Sequence, residues 1–179
     1  DSLEVEPNVV GEITVQGGAV TERYIVRDEA NRLSKIQHED GIIHRMGDVG
    51  YFDEEGRLWY CGRKSHRVIT KDDVLFTEQI EGVFNVHPLV YRTALVGVNG
   101  VPVVWVELQK GVRTNKDTIK RELMDLAKDH PQASKIKDFL FMKKFPTDVR
   151  HNSKIIREEL AERAARILSS SFIHHCSSL

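Results

Sequence analysis

The segment FPTDVRHNSKIIREEL, residues 145–160, places Lys154 where an extended, proline-marked stretch changes into a helical pattern. We expect the helix to begin at about Ser153, which would put Lys154 in its first turn. The helix macrodipole disfavours a cation there by about 0.3–1 kcal/mol. An anion bound at this turn would contact both the ammonium group and the free N–H groups of the helix. The alternative is a lysine that only faces solvent.

Two further polar groups stand beside glycines. Asp48 lies in GDVG, residues 47–50, where a ligand could approach the backbone and the carboxylate could accept two hydroxyl protons of a sugar diol. A turn aspartate without a ligand gives the same pattern. Arg63 lies in GRKS, residues 62–65, a short glycine-marked junction at which a hinge could form. A surface turn with a solvated arginine is the alternative here.

The composition is that of an ordinary globular protein, with 40% hydrophobic and 30% charged residues among 179. A net charge of −1 provides no overall attraction to nucleic acid or a membrane surface. No apolar run approaches the roughly 18 residues of a transmembrane helix, and no signal peptide is visible. We expect a cytoplasmic protein whose cysteines, Cys61 and Cys176, are reduced. FIHHCSSL, residues 172–179, suggests a mobile tail, and we expect no metal site.

The first third of the chain is rich in β-branched and aromatic residues with glycines between them. GEITVQGG, residues 11–18, alternates apolar and polar residues as a half-buried strand does. Residues 40–63 predict strand, turn, strand, turn and strand, with DEEG, residues 53–56, closing a hairpin. Few elements are present to cover these strands, so we expect them to belong to a larger β-structure.

After residue 62 the predicted order is strand, helix, strand, strand, helix, strand and helix, a small α+β domain in which helices cover a sheet. The predicted strands cover residues 66–70, 90–98, 101–109 and 135–145, and residues 74–76 could form another. The first and second predicted helices start at recognisable signals: Thr77 as an N-cap for a helix to about His87, and Thr114 with Asp117 as a capping box. Asn99-Gly100 is a favoured hairpin turn.

In this order the segments resemble the C-terminal third of the acyl-adenylate-forming enzymes, which include acyl-CoA synthetases, nonribosomal peptide adenylation domains and luciferases. The similar segments are GEITVQGGAV, DGIIHRMGDVGYFDEEGRLWYCGRKSHRVI, EQIEGVFNVHPLVYRTALVGV and KKFPTDVRHNSKIIREEL. The resemblance covers nearly the whole chain, from about Gly11 to Ala165. Each motif is weak alone, but the ordered set is specific. The family pattern GDxGYxDxxGxLxxxGR is matched completely from Asp48 to Arg63.

The resemblance implies a role for each polar group. Asp48 would hold the ribose hydroxyls of ATP, and Arg63 would help to hold the nucleotide. Ser65 falls at the family's hinge position, where aspartate or lysine is usual. Lys154 falls on the lysine of the GKIxR motif and would reach the α-phosphate and the substrate carboxylate, where charge builds during the attack. ATP and Mg²⁺ are the implied cofactors.

Several positions depart from the family pattern. The replacements are Met46 for a usual threonine, His66 for a usual aspartate and Ser153 for a usual glycine. The SGGEN-like loop of CoA ligases aligns with TKDDV, residues 70–74. The family's glycines give backbone freedom along the path of the pantetheine arm, and Lys71 and Asp72 remove that freedom. These departures argue against thioester formation with CoA.

The segments around Asp48 and Lys154 look most like the β-lactone synthetases of bacterial olefin biosynthesis, which are often labelled long-chain fatty acyl-CoA ligases. Those enzymes adenylate a 2-alkyl-3-hydroxy fatty acid. The hydroxyl then attacks the activated carbonyl, AMP leaves, and a β-lactone forms without CoA. The resemblance therefore implies a fatty or 3-hydroxy fatty acid substrate. His66 or His151 could be the base for the hydroxyl, although a structural role accounts for either residue.

The resemblance also predicts the domain organisation. Residues 1–62 would be the β-rich end of the large domain, part of its β-barrel subdomain, and residues 63–65 the hinge. Residues 66–170 would be the C-terminal lid domain and residues 171–179 a tail. The sequence lacks an initial methionine, the phosphate-binding loop and the acyl pocket, so we expect a fragment that is inactive alone.

The expected partners are the N-terminal large domain and other enzymes of olefin biosynthesis, and no nucleic acid. Two alternatives to a β-lactone synthetase remain open at this point. The first is a long-chain fatty acyl-CoA ligase, and the second is a noncatalytic binding module.

Overall fold

The computed structural model describes residues 4–149 and 151–176, and for residues 151–153 and 171–176 it describes the backbone alone. The chain divides into two compact units, residues 1–65 and 66–179. Each unit has its own β-sheet structure.

The first unit contains one antiparallel sheet. Its elements are β1 (Gly11–Gln16), α1 (Asp28–Ser34), β2 (Lys35–His38), β3 (Gly41–Phe52) and β4 (Leu58–Arg63). The long strand β3 is central: β1 pairs along one side of it, while β2 and β4 pair with its first and second halves. The hairpin expected at residues 53–56 is confirmed, since this turn joins β3 to β4.

The prediction of a turn around Asp48 is wrong, because β3 runs through this region as a single strand. From Glu12 to Thr14 of β1, the paired residue on β3 changes from Val49 to Arg45, so β3 carries extra residues in a bulge. Gly47 lies in this bulge with a φ of +72°, a conformation that glycine adopts without a Cβ clash. The bulge keeps both halves of β3 in one sheet while changing the direction of the side chains within it.

The second unit is built around a three-stranded sheet in the order β7–β8–β9. The strands of this unit are β5 (Val68–Ile69), β6 (Val74–Leu75), β7 (Val90–Val98), β8 (Val101–Leu108), β9 (Asp138–Met142), β10 (Thr147–Asp148) and β11 (His151–Ile155). Its helices are α2 (Thr77–Asn85), α3 (Lys116–Ala127) and α4 (Arg157–Cys176). β7 and β8 are antiparallel, β8 and β9 are parallel, and β5–β6 and β10–β11 are small antiparallel pairs.

Helices cover both faces of the main sheet, and the strands alternate accordingly. On β8, Val104 and Val106 pack with α2 and α3, while Val103 and Trp105 pack with α4. Because both faces of the sheet are buried, the sequences of β7 and β8 are nearly continuous apolar runs. The indole Nε1–H of Trp105 donates to the Leu160 carbonyl at 3.0 Å and ties α4 to the sheet. The predicted α+β class with a mainly antiparallel sheet and flanking helices is confirmed.

Some boundaries differ from the sequence predictions, among them two helix starts and the C-terminal tail. Helix α2 begins at Thr77 with Phe76 in the N-cap position and no side-chain cap, so Thr77 is not the cap. Helix α3 is capped by Asn115, whose side chain accepts from the backbone N–H of Asp117 at 2.8 Å, in place of the expected Thr114. The predicted tail is helical as far as Cys176, and residues 177–179 lie outside the described part of the chain.

The Asn99-Gly100 turn is confirmed, with φ angles of 50° and 79°. Positive φ at both central residues is the geometry that a two-residue hairpin requires. The reduced state expected for the cysteines agrees with Cys61, which is a buried thiol. The side chain of Cys176 lies outside the described residues.

We predict that Gly50→Ala destabilises the first unit by about 1–3 kcal/mol, a typical cost of overpacking. A Cβ on Gly50 would lie 2.5 Å from the Trp59 carbonyl oxygen, so β3 and β4 would have to separate. Gly18→Ala is the matched control, because a Cβ there would meet nothing within 4 Å. It should change stability by no more than about 0.5 kcal/mol. Unfolding in urea measures both, and equal midpoints would contradict the predicted clash.

Candidate functional site

Asp48 and Arg63 lie directly opposite each other where β3 and β4 pair. The guanidinium Nε of Arg63 is 3.1 Å from Oδ1 of Asp48, and its Nη1 donates to the Met46 carbonyl at 3.1 Å. The Asp48 side chain is 17% exposed and that of Arg63 is 54% exposed, so the pair lies at the surface with the carboxylate partly covered. The structure therefore brings together two of the residues that the sequence singled out.

The carboxylate of Asp48 retains unused acceptor capacity. Its Oδ1 atom is buried and has no hydrogen-bond partner among the described residues, because the approach of Arg63 lacks hydrogen-bond alignment. A buried acceptor without a donor is costly in a finished structure and is a feature that calls for an explanation. Hydroxyl donors from a ligand diol would satisfy it once the half-exposed Arg63 side chain moved aside to admit them. The carboxylate therefore fits the ribose of a nucleotide in its chemistry.

Asp53, the other aspartate of this motif, is fully used within its own turn. Its Oδ1 accepts from the backbone N–H groups of Glu55 and Arg57 at 3.0 and 2.9 Å. Its Oδ2 accepts from the Arg57 guanidinium at 2.7 Å and from the Trp59 indole at 2.8 Å. The Trp59 hydrogen bond, together with those from Arg57 and Glu55, lowers the pKa of Asp53 to about 2. Asp53 thus stabilises the hairpin rather than offering a ligand contact.

The middle residue of the predicted hinge, Lys64, is salt-bridged. Lys64 Nζ lies 2.7 Å from Glu12 Oε2 on β1, and Arg45 also contacts this oxygen, at 2.6 Å. Burial raises the pKa of Glu12, but the contacts from Arg45 and Lys64 outweigh it, so the pKa is lowered overall. Ser65 is exposed in the 3₁₀ turn Lys64–His66, and it is the last residue of the first unit.

Lys154 lies in strand β11, in the second unit, and not in the first turn of a helix as expected. β11 pairs with β10 through Thr147↔Ile155, and helix α4 starts only at Arg157. The helical pattern of the sequence extends back over the strand because Ile155 also packs on the core beneath α4. The Lys154 side chain is exposed, and no ion pair joins its ammonium group to another described residue. The lysine is therefore carried by a hairpin and is not disfavoured by a macrodipole.

Two buried glutamates of the second unit were missed by the sequence reading. Glu81 of α2 pairs with Arg157, and Glu107 of β8 pairs with Arg92. Burial raises the pKa of Glu81, and Arg157 acts in the opposite direction. Each glutamate could have been noticed as an acid within an apolar pattern, Glu81 beside Ile80 on the buried helix face and Glu107 within VPVVWVEL.

The TKDDV loop, residues 70–74, is closed by its own hydrogen bonds. The Thr70 hydroxyl accepts from the backbone N–H of Asp73 at 2.9 Å and donates to its carbonyl at 3.0 Å. Lys135 Nζ lies 2.5 Å from Asp73 Oδ2 and fixes the loop to the 3₁₀ turn Ala133–Lys135. Of the two histidines considered as a base, His66 lies in the turn before this region, and the side chain of His151 is outside the described residues.

The chain corresponds to the C-terminal portion of the acyl-adenylate-forming enzymes. It is 52% identical over 167 residues to an olefin beta-lactone synthetase of Xanthomonas campestris pv. campestris, covering 88% of this chain and 30% of that protein. It is 32% identical over 168 residues to a 2-succinylbenzoate–CoA ligase of Bacillus cytotoxicus, covering 90% of this chain and 32% of that protein. The chain thus spans about a third of the length of the curated relatives it matches. No protein-family model matches.

Solved structures give the same assignment. The O-succinylbenzoate coenzyme A synthetase of Bacillus subtilis in complex with AMP has a TM-score of 0.70 and 29% identity, covering 87% of this chain and 31% of that one. An anthranilate CoA ligase in complex with anthranoyl-AMP has a TM-score of 0.76 at 17% identity, covering 93% and 32%, which supports the fold alone. Among the described residues, no helix is long and apolar enough to cross a membrane.

We predict that the stabilising effect of Asp53 disappears in acid. Its pKa is lowered in the folded state, so its contribution is present above the ordinary value of 3.8 and is lost as the pH falls through about 2. The difference in unfolding free energy between the unmodified chain and Asp53→Asn should therefore narrow over this range. Urea unfolding at several pH values measures it. Glu54→Gln, which removes a neighbouring exposed carboxylate, is the control, and a constant difference for Asp53→Asn would contradict the prediction.

Proposed function

We propose that this chain is the C-terminal part of an ATP-dependent enzyme that adenylates a fatty acid, a 2-alkyl-3-hydroxy acid, and then closes a β-lactone. The observation that carries the proposal is the 52% identity to an olefin beta-lactone synthetase over 88% of the chain. The unused acceptor of Asp48 and the exposed Lys154 agree with it. In this proposal the 179 residues contribute to an active site but do not form it alone.

In the first step, a carboxylate oxygen of the acid attacks the α-phosphorus of ATP, and pyrophosphate leaves. Asp48 would accept hydrogen bonds from the ribose hydroxyls, and Arg63 beside it would help to hold the nucleotide. Lys154 would place its ammonium group between two anions that otherwise repel each other, and stabilise the charge that builds on the α-phosphate. Mg²⁺ would enter with the triphosphate and shield its charge. We assign no metal to the exposed group His38, Glu39 and Asp40.

In the second step, the 3-hydroxyl oxygen of the acyl adenylate attacks the acyl carbonyl carbon. The bond from this carbon to the phosphate oxygen breaks, AMP leaves with the bonding electrons, and the hydroxyl proton passes to a base. His66 and His151 remain the two candidates for that base. No step of this sequence requires CoA.

A fatty acyl-CoA ligase is the second candidate function, because CoA ligases are among the relatives at 32% identity. The hydrogen-bonded loop 70–74 and its link to Lys135 favour the lactone instead. If this loop faces a pantetheine arm, as the resemblance implies, it would offer side chains in place of glycine.

Residues 63–65 would serve as a hinge for a lid formed by residues 66–170. A hinge needs a few residues that absorb changes in φ and ψ, and an exposed Ser65 in a short 3₁₀ turn is suited to that. Lys64 would remain with the first unit through its contact with Glu12.

We predict that Lys154→Ala, in the full-length protein that contains this chain, lowers the rate of adenylation by about 100- to 1000-fold. Acid-dependent pyrophosphate exchange measures this step. Conversion of a chemically supplied acyl adenylate should remain, because the α-phosphate has already reacted. Lys128→Ala, which removes another exposed lysine of the same unit, should affect neither step. Equal loss of both steps in a folded Lys154→Ala protein would contradict a role confined to adenylation.

The full-length protein should convert a 2-alkyl-3-hydroxy fatty acid with ATP and Mg²⁺ to AMP and a β-lactone in the absence of CoA. Mass spectrometry of the products, with and without CoA, measures this. A thioester that forms only with CoA would establish the ligase instead. Absence of AMP under both conditions would favour the noncatalytic binding module.

A further inference from the structure

The Lys154 hairpin, defined as residues 145–157, is held at its first residue by a buried carboxylate. The backbone N–H of Phe145 donates to Glu107 Oε2 at 2.9 Å. The same oxygen accepts from Arg92 Nε at 2.9 Å, and the Arg92 guanidinium lies 5.2 Å from the centre of the Phe145 ring. Glu107 is only 7% exposed. The carboxylate, the arginine and the ring thus fix where the hairpin leaves the sheet.

The last residue of the Lys154 hairpin is held by a second buried carboxylate. Arg157 makes two parallel contacts with Glu81, Nη1 to Oε1 at 2.6 Å and Nη2 to Oε2 at 3.0 Å. Leu95 of β7 completes the arrangement: its N–H donates to Glu81 Oε1 at 2.7 Å, and its carbonyl accepts from Arg157 Nη1 at 3.2 Å. Because the two-point contact is planar, it fixes the orientation of Arg157 as well as its distance.

Between these two ends, the described residues form a short two-stranded hairpin. β10 contains two residues, and the pairing with β11 consists of Thr147↔Ile155 and Asp148↔His151. One further backbone hydrogen bond joins Ile156 N–H to the Pro146 carbonyl at 3.0 Å. A two-stranded hairpin of this size is marginal in water. The contacts at its two ends therefore contribute to fixing its position, together with the packing of Ile155 on the core.

We propose that Glu81 and Glu107 are positioning residues, which act through Arg157 and Phe145 to fix the place from which Lys154 presents its ammonium group. The inference rests on the proposed role of Lys154 in adenylation. Apolar packing alone would resist separation of the hairpin from the core but would allow it to slide or turn. The two carboxylates fix its direction at both ends, and Lys154 is three residues from the Arg157 anchor.

The test measures the two half-reactions separately in the full-length protein. Glu81→Gln keeps the shape of the side chain but removes its charge, and Arg157→Lys keeps the charge but removes the two-point contact. Each should lower acid-dependent pyrophosphate exchange by about 10- to 100-fold, the effect of displacing a catalytic group by a fraction of an ångström to one ångström. Conversion of a supplied acyl adenylate should change by less than about twofold, since that step does not use Lys154.

A double substitution separates positioning from general damage. In a Lys154→Ala protein, Glu81→Gln should cause no additional loss of exchange, because the group that it positions is already gone. Losses that multiply, or equal losses in both half-reactions, would overturn the inference. Glu122→Gln is the control: it replaces another glutamate of this unit, which lies 3.0 Å from His87 Nε2 and outside the hairpin. It should leave both half-reactions unchanged.

Thermal unfolding identifies a variant that fails to fold. If Glu81→Gln does not fold, Glu107→Gln replaces it, because loss of the carboxylate charge weakens the hydrogen bonds that Oε2 accepts from the Phe145 N–H and from Arg92. Glu107→Gln should then lower exchange while leaving conversion of the supplied acyl adenylate intact. Losses that multiply with Lys154→Ala, or equal losses in both half-reactions, would again overturn the inference. If Lys154→Ala leaves exchange intact, the proposed function itself fails. If Lys154→Ala suppresses exchange while folded Glu81→Gln and Arg157→Lys do not, only the positioning role fails.

Discussion

The buried ion pair between Glu81 and Arg157 is the constraint on which the second unit most depends. Their side chains are 8% and 13% exposed, so both charges have lost most of their water. Removing one partner of such a pair typically costs about 3–5 kcal/mol, because the other is left buried and unpaired. The pair joins α2 to the start of α4 and reaches β7 through Leu95. The consecutive elements α2 and β7 therefore have to meet the start of α4, which is distant in sequence, with the geometry that these contacts require.

The two units position their polar side chains in different ways. In the first unit the backbone positions the side chains: a bulge at Gly47 and the close approach of Gly50 to Trp59 determine how β3 runs against β1 and β4. Asp48 takes its place from that path. In the second unit, side-chain contacts fix the positions, through alternating burial on the two faces of the sheet and charged anchors at the ends of a short hairpin. Both are suited to presenting one polar group at an otherwise ordinary surface.

Much of the fold could be predicted from local patterns. The β7–β8 hairpin followed from the turn Asn99-Gly100, and α3 followed from apolar residues at helical spacing that include Ile119 and Leu123. Helix α1 and strand β2 could not be predicted in this way, because α1 is only seven residues long and buries none of them. Its place depends on contacts with β3 and not on an apolar stripe of its own.

The sequence predicted which residue types form the site, but not the contacts that position them. Asp48 and Arg63 belong to a recognisable motif, and their pairing depends on a bulge that no local pattern reveals. Lys154 was assigned to a helix because the apolar spacing of Ile155 and Leu160 continues through the boundary, whereas the pairing of Ile155 with Thr147 makes it a strand. The partners of Glu81 and Glu107 lie 76 and 38 residues away in sequence, and sequence spacing gives no access to such contacts.

The parallel pairing of β8 with β9 has a consequence for the order of folding. Val103 pairs with Val96 across a two-residue turn, but with Asp138 only after the α3 crossover. Loop closure delays contacts of long sequence separation, so we expect the β7–β8 hairpin to form early and β9 later. The anchors of residues 145–157 need this sheet in place. The segment that bears the lysine would then be the last part of the unit to acquire protection in a pulsed hydrogen-exchange experiment, and early protection there would contradict this order.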